Sequence, residues 1–379
     1  MLVSDFTYDL PEERIAKFPP KVRGTTRLLV LDKETGIVKD SYYKDLADFF
    51  NPGDVLILND TRVMQSRLFC TLPDGRKREL VVLEKHGDEP ERVMYRGKLH
   101  EGDVLSVHGR VTRMEGDPHG VYDVGEDNAW QDPSRVIVSK ILGNGIAEVK
   151  SDVPLAELAE KFGTVPLPPY LHRDATADDK TRYQTVWAKN MGSAAAPTAS
   201  LNMTEDLLNR LRQKGVIIKY LTLHVGLGTF LPIRTDNIED HHMHSEWYSI
   251  PEDTLAAIRL IKHGRVTRME GDPHGVHDVG EDNAWQDPPR IIALGTTVAR
   301  TLEYYAKTGK PEGEDDIFIY PGFEFKMVDA LITNFHAPKS TVLMLASAFA
   351  GWDNLKNAYD HAIREKYNFL SYGDSMLIC

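Results

Sequence analysis

The chain contains almost no cysteine. Only Cys70 and Cys379 occur among its 379 residues, which leaves no framework of disulfide bonds and no CxxC-type zinc site. So few cysteines are typical of proteins that stay in a reducing compartment. We therefore expect a cytoplasmic protein that folds without covalent cross-links.

The sequence also lacks long apolar runs. No stretch of about 18 consecutive apolar residues occurs, and the opening sequence MLVSDFTYDLPEERIAKFPP becomes charged at Asp5 without an apolar core segment. The first absence argues against a transmembrane helix and the second against a secretory signal. We predict neither a signal peptide nor a membrane span.

Positive charge is in deficit as well. The 45 Lys and Arg residues are outnumbered by 57 Asp and Glu residues, which gives a formal net charge of −12. Because Lys and Arg supply most non-specific affinity for phosphate backbones, this charge disfavours a general nucleic-acid coat protein. An enzyme that binds one RNA through a local basic cleft is still compatible with it.

The apolar patterns predict an α/β main domain. RLLVLDKETG (27–36) and residues 55–58 have the apolar runs of buried strands, and a polar cluster at residues 59–62 follows the second run. Thr204 and the acidic residues after it predict a helix that ends near Gly215, followed by a strand in VIIKYLTLHV. Alternating helices and strands of this kind favour an α/β fold.

The middle of the chain has a different pattern. Short β-rich runs (LFCTL, ELVVLE, VIVSKIL and IAEVK) alternate there with turn sequences. We therefore predict an α/β (α+β) main domain formed by residues 1–66 and 154–379, with an inserted small antiparallel β-barrel domain at residues 67–153.

The sequence contains one internal repeat. Residues 108–135 and 263–290 are identical except for Tyr122 against His277 and Ser134 against Pro289. Two copies are too few for a solenoid, and their many turn-forming residues predict a surface hairpin or loop. We interpret the second copy as a peripheral insertion. The alternative is that Asp, Glu and His residues of each copy bind a metal ion.

Four stretches are dense in small and functional residues and predict one composite pocket. They are residues 182–204, 224–233, 295–303 and 319–341. In HVGLGTF, Gly226 and Gly228 follow a strand, so their backbone amides could approach a ligand closely. His224 and Thr229 would add polar contacts. A strand exit kinked by glycine is the simpler alternative.

GTTVARTLE predicts a turn from a strand into a helix. Gly295, Thr296 and Thr297 put amides and hydroxyls at the helix N-terminus, which suits a carboxylate or a phosphate. Arg300 and Glu303, three residues apart, share a helix face. An ordinary helix cap followed by a surface ion pair is the alternative.

Histidines are concentrated in two places. Residues 241–246 combine three imidazoles with the carboxylate of Glu246, which is compatible with a metal site or with acid–base chemistry near neutral pH. The HExxH signature is absent. In ALITNFHAPKST, Asn334 and His336 follow an apolar strand, where polar loop groups often act. A buried structural histidine is the alternative.

Taken in order, these stretches resemble one known family. Together with DFTYDLPEERIAKFP, NDTRV and YNFLSYGDSMLI, they resemble the S-adenosylmethionine:tRNA ribosyltransferase-isomerases of the queuosine pathway along nearly the whole chain. The resemblance implies S-adenosylmethionine as co-substrate and tRNA with a 7-aminomethyl-7-deazaguanine wobble base as partner. It also implies no metal and no permanently bound or redox cofactor. We further expect a monomer.

The implied reaction transfers and rearranges the ribosyl part of S-adenosylmethionine onto the aminomethyl group, giving epoxyqueuosine and releasing adenine and methionine. Our candidates for proton transfer are His224, His244 and His336, with Glu246 as an orienting group or alternative base. The candidate substrate-binding residues are Asp60, Arg62, Thr198, Gly226, Gly228, Thr229, Gly295, Thr296, Thr297, Arg300 and Asn334.

One motif departs from the family pattern. Where the resemblance leads us to expect APTAGLHFT, this chain has APTASLNMT, with Ser200, Asn202 and Met203 in place of a glycine, a histidine and an aromatic residue. An asparagine cannot titrate as an imidazole does. One alternative is therefore a catalytically impaired member that only binds S-adenosylmethionine or tRNA. A second is a metal-dependent hydrolase that uses residues 241–246.

Overall fold

The computed structural model describes residues 1–83, 89–107, 134–143, 145–226, 233, 235–269 and 288–379, with the side chains of residues 263–269 left out. Gly228, Thr229 and the greater part of both repeat copies therefore lie outside the described residues. The hypotheses of a glycine-lined contact at Gly228 and Thr229, and of a metal site in each copy, stay predictions.

The described residues form strands, α-helices and several 3₁₀ turns. The strands are β1 (Arg27–Leu31), β2 (Val38–Tyr42), β3 (Val55–Asn59), β4 (Thr61–Val63), β5 (Arg67–Thr71), β6 (Lys77–Val82), β7 (Arg92–Arg96), β8 (Val104–Val107), β9 (Arg135–Gly143), β10 (Ile146–Ser151), β11 (Asn190–Ser193), β12 (Ile217–Leu223), β13 (Glu246–Ser249), β14 (Ile291–Leu294), β15 (Glu312–Asp315), β16 (Ala330–Asn334) and β17 (Ser375–Ile378). The α-helices are α1 (Leu155–Phe162), α2 (Asp179–Arg182), α3 (Glu205–Gln213), α4 (Glu252–Met269), α5 (Thr296–Thr308), α6 (Thr341–Ala350) and α7 (Trp352–Arg364). The 3₁₀ turns are Val3–Asp5, Glu12–Arg14, Tyr43–Phe49, Pro169–Leu171, Thr198–Ser200 and Ile238–Asp240.

A large mixed sheet organises the first part of the fold. Its nine strands run in the order β15-β13-β12-β3-β14-β16-β17-β1-β2. The four neighbours β12, β3, β14 and β16 are mutually parallel. Every residue of β3, with the sequence VLILN, is buried, as expected for a strand covered on both faces. The predicted α/β (α+β) fold class of the main domain is confirmed.

The helix predicted after Thr204 is present and packs into the core of this sheet. The Thr204 hydroxyl accepts a hydrogen bond of 3.2 Å from the Leu207 N–H and so caps α3. Leu207, Leu208 and Leu211 then face the core and are at most 2% exposed. Truncating one such leucine to alanine typically costs about 2 to 5 kcal/mol. The capping signal and the apolar spacing together fix the position of this helix.

The β-rich middle of the chain forms a closed barrel. Its six strands run in the order β10-β7-β6-β5-β8-β9, and all adjacent pairs are antiparallel. Alternate residues such as Val136 and Val138 point inward and are at most 1% exposed, while α1 contributes Leu155 and Leu158 to the same apolar cluster. Closure leaves no unpaired strand edge. The predicted small antiparallel β-barrel is confirmed.

The contacts divide the chain into two compact units. The first unit consists of Met1–Thr61, Thr185–Asn190 and Ala196–Cys379. The second unit consists of Arg62–Gln184 and Met191–Ala195. Domain boundaries at residues 67 and 153 stay a prediction of the sequence. The short strands β4 and β11 pair with each other. None of the helices in the described residues has both the length and the apolar character required to cross a bilayer.

The beginning of the second repeat copy differs from the sequence prediction. Helix α4 continues to Met269, so residues 263–269 are helical where we predicted a hairpin or loop. The preceding sequence DTLAAIRLIK is a strong helix former, and in the next residues HGRVTRM the single Gly264 costs only about 1 kcal/mol, which does not end the helix. The loop prediction was therefore wrong for these residues.

Candidate functional site

The candidate residues that follow strands are arranged along one edge of the large sheet. Because β12, β3, β14 and β16 are parallel, their carboxyl ends meet at the same edge, which is where ligands bind in open α/β sheets. The residues that leave the sheet there are Asp60 and Thr61 after β3, His224 after β12, Gly295 to Thr297 after β14, and Asn334 with His336 at the end of β16.

His224 is held in a fixed orientation at this edge. It is buried, and its Nδ1 atom lies 2.8 Å from the hydroxyl oxygen of Thr61. Its ring stacks on Trp247, with centroids 5.3 Å apart and planes 17° from parallel. The side-chain amide of Asn59 bonds to the N–H and C=O of Leu223 and thereby ties the ends of β3 and β12 together. The imidazole is thus oriented as a proton-transfer group requires.

Asp60 is part of a small polar cluster beside His224. Its carboxylate accepts a hydrogen bond of 2.7 Å from the Thr222 hydroxyl and bonds of 3.1 Å from the Asn190 side-chain amide. The indole N–H of Trp187 donates to the carbonyl of Asn59 at 2.8 Å. The sequence motifs did not single out Thr222, Asn190 or Trp187. Residues 182–190 (RYQTVWAKN), which are rich in polar and aromatic residues, were a signal for Asn190 and Trp187.

A buried ion network links the strands β13 and β15 of the sheet to helix α5. The Arg300 guanidinium donates to the carboxylate of Glu246 and, at 3.1 Å, to that of Asp315. Glu246 also accepts a 2.7 Å hydrogen bond from the Gly226 N–H. Burial disfavours the charged guanidinium, but the two carboxylates outweigh it and raise the pKa of Arg300. Burial raises the pKa of Asp315, although Arg300 acts in the opposite direction.

The alternative of a surface ion pair between Arg300 and Glu303 is wrong. Both side chains are buried, and Glu303 instead accepts hydrogen bonds from the backbone N–H groups of Lys326, Met327 and Val328 at 2.8 to 3.0 Å. Arg300 and Glu303 share a helix face because they are three residues apart, but each binds residues that are distant in the sequence. Glu303 therefore fixes the loop that precedes β16.

The predicted turn into α5 is present and lines a pocket. Gly295 has φ +100°, a backbone conformation that favours glycine, and donates its N–H to the Ile332 carbonyl at 2.7 Å. Thr296, Thr297 and Arg300 belong to the lining of a pocket beside α5. The hydroxyl oxygen of Thr297 is buried, and no described residue forms a hydrogen bond with it. The first turn of α5 therefore contributes both to the pocket lining and to a buried hydroxyl without a described partner.

His336 is a buried structural group in this edge. Its Nε2 atom lies 2.8 Å from the Thr333 hydroxyl, its N–H donates to the Tyr359 hydroxyl at 2.9 Å, and its carbonyl accepts from Tyr8. Burial lowers the pKa of His336 to about 3, so its imidazole is neutral at physiological pH. Asn334 donates to the Asp374 carbonyl at 3.4 Å, and its side-chain oxygen has no hydrogen-bond partner among the described residues.

The histidines of residues 241–246 do not converge on Glu246. His242 and His244 are exposed, whereas the Glu246 carboxylate is buried with Arg300. The pKa of His241 is lowered, first by burial and then by the charges of His244 and His242. The His241 ring forms a T-shaped pair with the ring of Phe318. Within the part of the chain that the structure describes, no group of three or more His, Cys, Asp or Glu side chains is arranged to hold a metal ion.

Comparisons with known proteins show the family of this chain. The family described as Queuosine biosynthesis protein matches the chain over residues 3–269 and 281–378. The chain belongs to this family. A protein of Chlorobium phaeobacteroides is 47% identical over 100% of both chains, and one of Francisella tularensis is 40% identical over the same share. Both are named S-adenosylmethionine:tRNA ribosyltransferase-isomerase.

One solved structure is similar to this chain as well. It is that of the S-adenosylmethionine tRNA ribosyltransferase from Thermotoga maritima, with 29% sequence identity and a TM-score of 0.49 over 99% of this chain and 100% of that one. The resemblance to the family that we stated from the sequence motifs is confirmed by the family match and by the full-length relatives.

The motif that departs from the expected family pattern is built into the core. Ser200 ends the 3₁₀ turn Thr198–Ser200 and does not have a positive φ. Asn202 donates from its side-chain amide to the Gly373 carbonyl at 3.0 Å and to the Ser375 hydroxyl at 3.2 Å. Met203 is fully buried in the apolar cluster under the sheet. These residues satisfy structural demands of this chain.

The remaining candidates take different positions. Thr198 is half-buried at the start of its 3₁₀ turn. The next residue, Ala199, has its Cβ close to Gly295. Arg62 is exposed on β4 and belongs to the unit that contains the barrel. The structure thus joins Asp60, His224 and the Glu246 network along one edge of the sheet, while Arg62 and the exposed His244 take no part in the contacts described above.

Proposed function

We propose that this protein transfers and isomerises the ribosyl part of S-adenosylmethionine onto 7-aminomethyl-7-deazaguanine at the wobble position of tRNA. The products are epoxyqueuosine-tRNA, adenine and methionine. S-adenosylmethionine acts as a co-substrate, tRNA with the precursor base is the partner, and the protein works as a monomer in the cytoplasm. The observation that carries this proposal is the full-length similarity to relatives that are named for this activity.

The chemistry of the substrate defines what the protein has to supply. The positive sulfonium makes the adjacent ribose C5′ more acidic and turns methionine into a good leaving group. A base near C5′, a proton donor for the departing adenine and rigid positioning of both substrates are then sufficient. We assign the base, the proton donor and the positioning to side chains at the carboxyl ends of the parallel strands.

His224 is the best candidate for the base. Its imidazole is held by the Thr61 hydroxyl and by stacking on Trp247, and a histidine titrates near neutral pH when its environment permits. Thr61 and Trp247 would act by fixing its orientation. Thr222, two residues before His224, joins Asp60 and Asn190 in a polar cluster that we assign to binding hydroxyl or amino groups of a substrate.

The other catalytic candidates receive narrower roles. With its low pKa, His336 cannot carry a proton at neutral pH and serves as a neutral positioning group. Glu246 is engaged by Arg300 and by the Gly226 N–H, so we assign it to fixing the backbone at Gly226. His244 is exposed and can contribute only when a substrate covers it.

The test is the release of adenine from S-adenosylmethionine. Purified protein should release adenine only when tRNA bearing the precursor base is present, and tRNA with unmodified guanine at the wobble position is the control. Binding of S-adenosylmethionine without adenine release would favour the impaired-member alternative. Adenine release that does not depend on tRNA would point to hydrolysis and contradict the proposal.

A further inference from the structure

The pocket beside α5 has the wall composition of a small-molecule site. Six apolar side chains line it: Met243, Ile317, Phe318, Ile319, Val342 and Leu345. The polar residues of the wall are three threonines and one arginine. A mainly apolar wall with a few convergent polar groups is the usual form of a ligand pocket.

One polar group in this wall has no hydrogen-bond partner in the part of the chain that the structure describes. The Thr297 hydroxyl oxygen is buried and forms no hydrogen bond with any described residue. Buried hydroxyl groups in native proteins nearly always have a partner, so an exception needs a specific physical cause. A ligand in the pocket that Thr297 lines would supply the missing hydrogen bond.

Two helices begin at the wall of this pocket. Thr296 and Thr297 belong to the first turn of α5, and Thr341 and Val342 to the first turn of α6. The first N–H groups of an α-helix lack partners within the helix and favour a negatively charged group. The pocket is therefore suited to a ligand with an anionic end.

The charges behind the wall restrict this ligand further. Arg300 lines the pocket with its guanidinium bound to two buried carboxylates, those of Glu246 and Asp315. When all three groups are ionised, one negative charge is left in excess. Such a site disfavours a phosphate dianion and favours a ligand that carries positive charge as well.

We propose that this pocket binds the methionyl part of S-adenosylmethionine, with the α-carboxylate at the Thr297 hydroxyl and the N-terminus of α5. That part combines an apolar chain with a carboxylate, an ammonium and the sulfonium, which matches the apolar wall and both kinds of charge. The inference rests on the proposed function, because it takes S-adenosylmethionine as the co-substrate. It assigns one half of that molecule to one pocket.

The experiment uses the two products as separate probes of the two halves. Inhibition constants of methionine and of adenine are measured for the full-length protein and for Thr297→Val, which removes the hydroxyl and keeps the shape of the side chain. Thr308→Val is the matched control, since that hydroxyl lies at the other end of α5, where it donates to the helix carbonyl of Tyr304 and accepts from the Lys310 N–H. Thr297→Ser keeps the hydroxyl and tests rescue.

The expected result is a selective effect. Thr297→Val should raise the inhibition constant of methionine and the KM for S-adenosylmethionine at least tenfold, with adenine inhibition, the KM for tRNA and the melting temperature unchanged. Thr297→Ser and Thr308→Val should behave like the unmodified protein. An unchanged methionine constant, or an equal rise for adenine, would overturn the assignment.

Two further measurements distinguish a methionyl site from a phosphate site and from failure of the proposed function. If inorganic phosphate inhibits and Thr297→Val weakens that inhibition alone, the pocket holds a tRNA phosphate and the proposal is wrong. If the unmodified protein releases no adenine, the proposed function fails. Calorimetric titration with methionine alone then still tests the pocket, since Thr297→Val should abolish binding that Thr308→Val retains.

Discussion

The guanidinium of Arg300 and the carboxylate of Glu246 form a buried ion pair that joins α5 to β13. Asp315 at the end of β15 holds the other side of the same guanidinium. The edge strand β15, its neighbour β13 and helix α5 thus depend on one side chain. Because Glu246 also receives the Gly226 N–H, the network extends to the loop that follows His224.

Replacing Arg300 by Met should destabilise the protein strongly. Two buried carboxylates would lose their cation, and breaking a buried pair in this way typically costs about 3 to 5 kcal/mol. Urea unfolding measures the effect. Arg259→Met is the control, because Arg259 pairs with Glu252 at an exposed position, where such pairs contribute about 0 to 1 kcal/mol. Equal stability of the two variants would contradict the importance of the network.

The loss in Arg300→Met should also depend on pH. Burial already raises the pKa of Asp315, so the folded state binds its proton more readily than the unfolded chain. Such a group stabilises the folded state at low pH, and the stabilisation is lost as the pH rises through the folded pKa. Without Arg300 the pKa rises further. The variant should therefore recover part of its unfolding free energy as the pH is lowered from neutral.

The buried His336 should make the protein sensitive to acid. Its pKa is lowered by burial to about 3. As the pH falls below 6.5, the imidazole therefore binds a proton in the unfolded chain but stays neutral in the folded protein. The stability that it contributes is complete above pH 6.5 and decreases as the pH falls toward 3. At pH 4.5 the loss is roughly 2 to 3 kcal/mol. His336→Asn should lose less over this range in unfolding experiments, whereas the exposed control His242→Asn should behave like the unmodified protein.

The hydroxyl of Thr61 should matter for turnover more than for binding. It lies 2.8 Å from the His224 Nδ1 atom, so Thr61→Val removes the group that orients the imidazole while keeping its volume. We expect kcat to fall about tenfold, or roughly 1.4 kcal/mol, with little change in the KM for S-adenosylmethionine. Thr61→Ser should restore kcat. A loss that serine does not restore would indicate a packing role.

Asn202 should contribute more to stability than its neighbour Ser200. Its amide bonds to both Gly373 and Ser375, and leaving these buried acceptors unpaired in Asn202→Leu should cost about 1 to 3 kcal/mol. The Ser200 hydroxyl is buried without a hydrogen bond to any described residue, so Ser200→Ala should be neutral or slightly stabilising. Denaturant midpoints of the two variants test this order.

Local signals in the sequence were sufficient for most elements. The cap at Thr204 and the leucines behind it specify α3, and the turns between short β runs specify the strands of the barrel. Gly295 with the two threonines after it specifies the start of α5. In each case the determining residues lie within one or two turns of the element, so the pattern alone identifies it.

The site was only partly predictable because its contacts are distant in sequence. Arg300 and Glu303 appeared to be partners through their spacing, yet each pairs with residues that only the folded sheet brings near. Asp315 was missed because it is one of three acidic residues in GEDD, and the sequence does not distinguish a buried one among them from the solvated ones. The identity of a buried partner depends on strand order, which spacing does not encode.

The central claim is that the ribosyl carbons of S-adenosylmethionine end up on the tRNA. The most direct measurement supplies S-adenosylmethionine labelled with ¹³C in the ribose and analyses the nucleosides of the tRNA by mass spectrometry. The account predicts that the wobble nucleoside carries the whole labelled ring, with unlabelled adenine and methionine released in equal amounts. Label that stays in free nucleosides, with no labelled nucleoside in the tRNA, would contradict it.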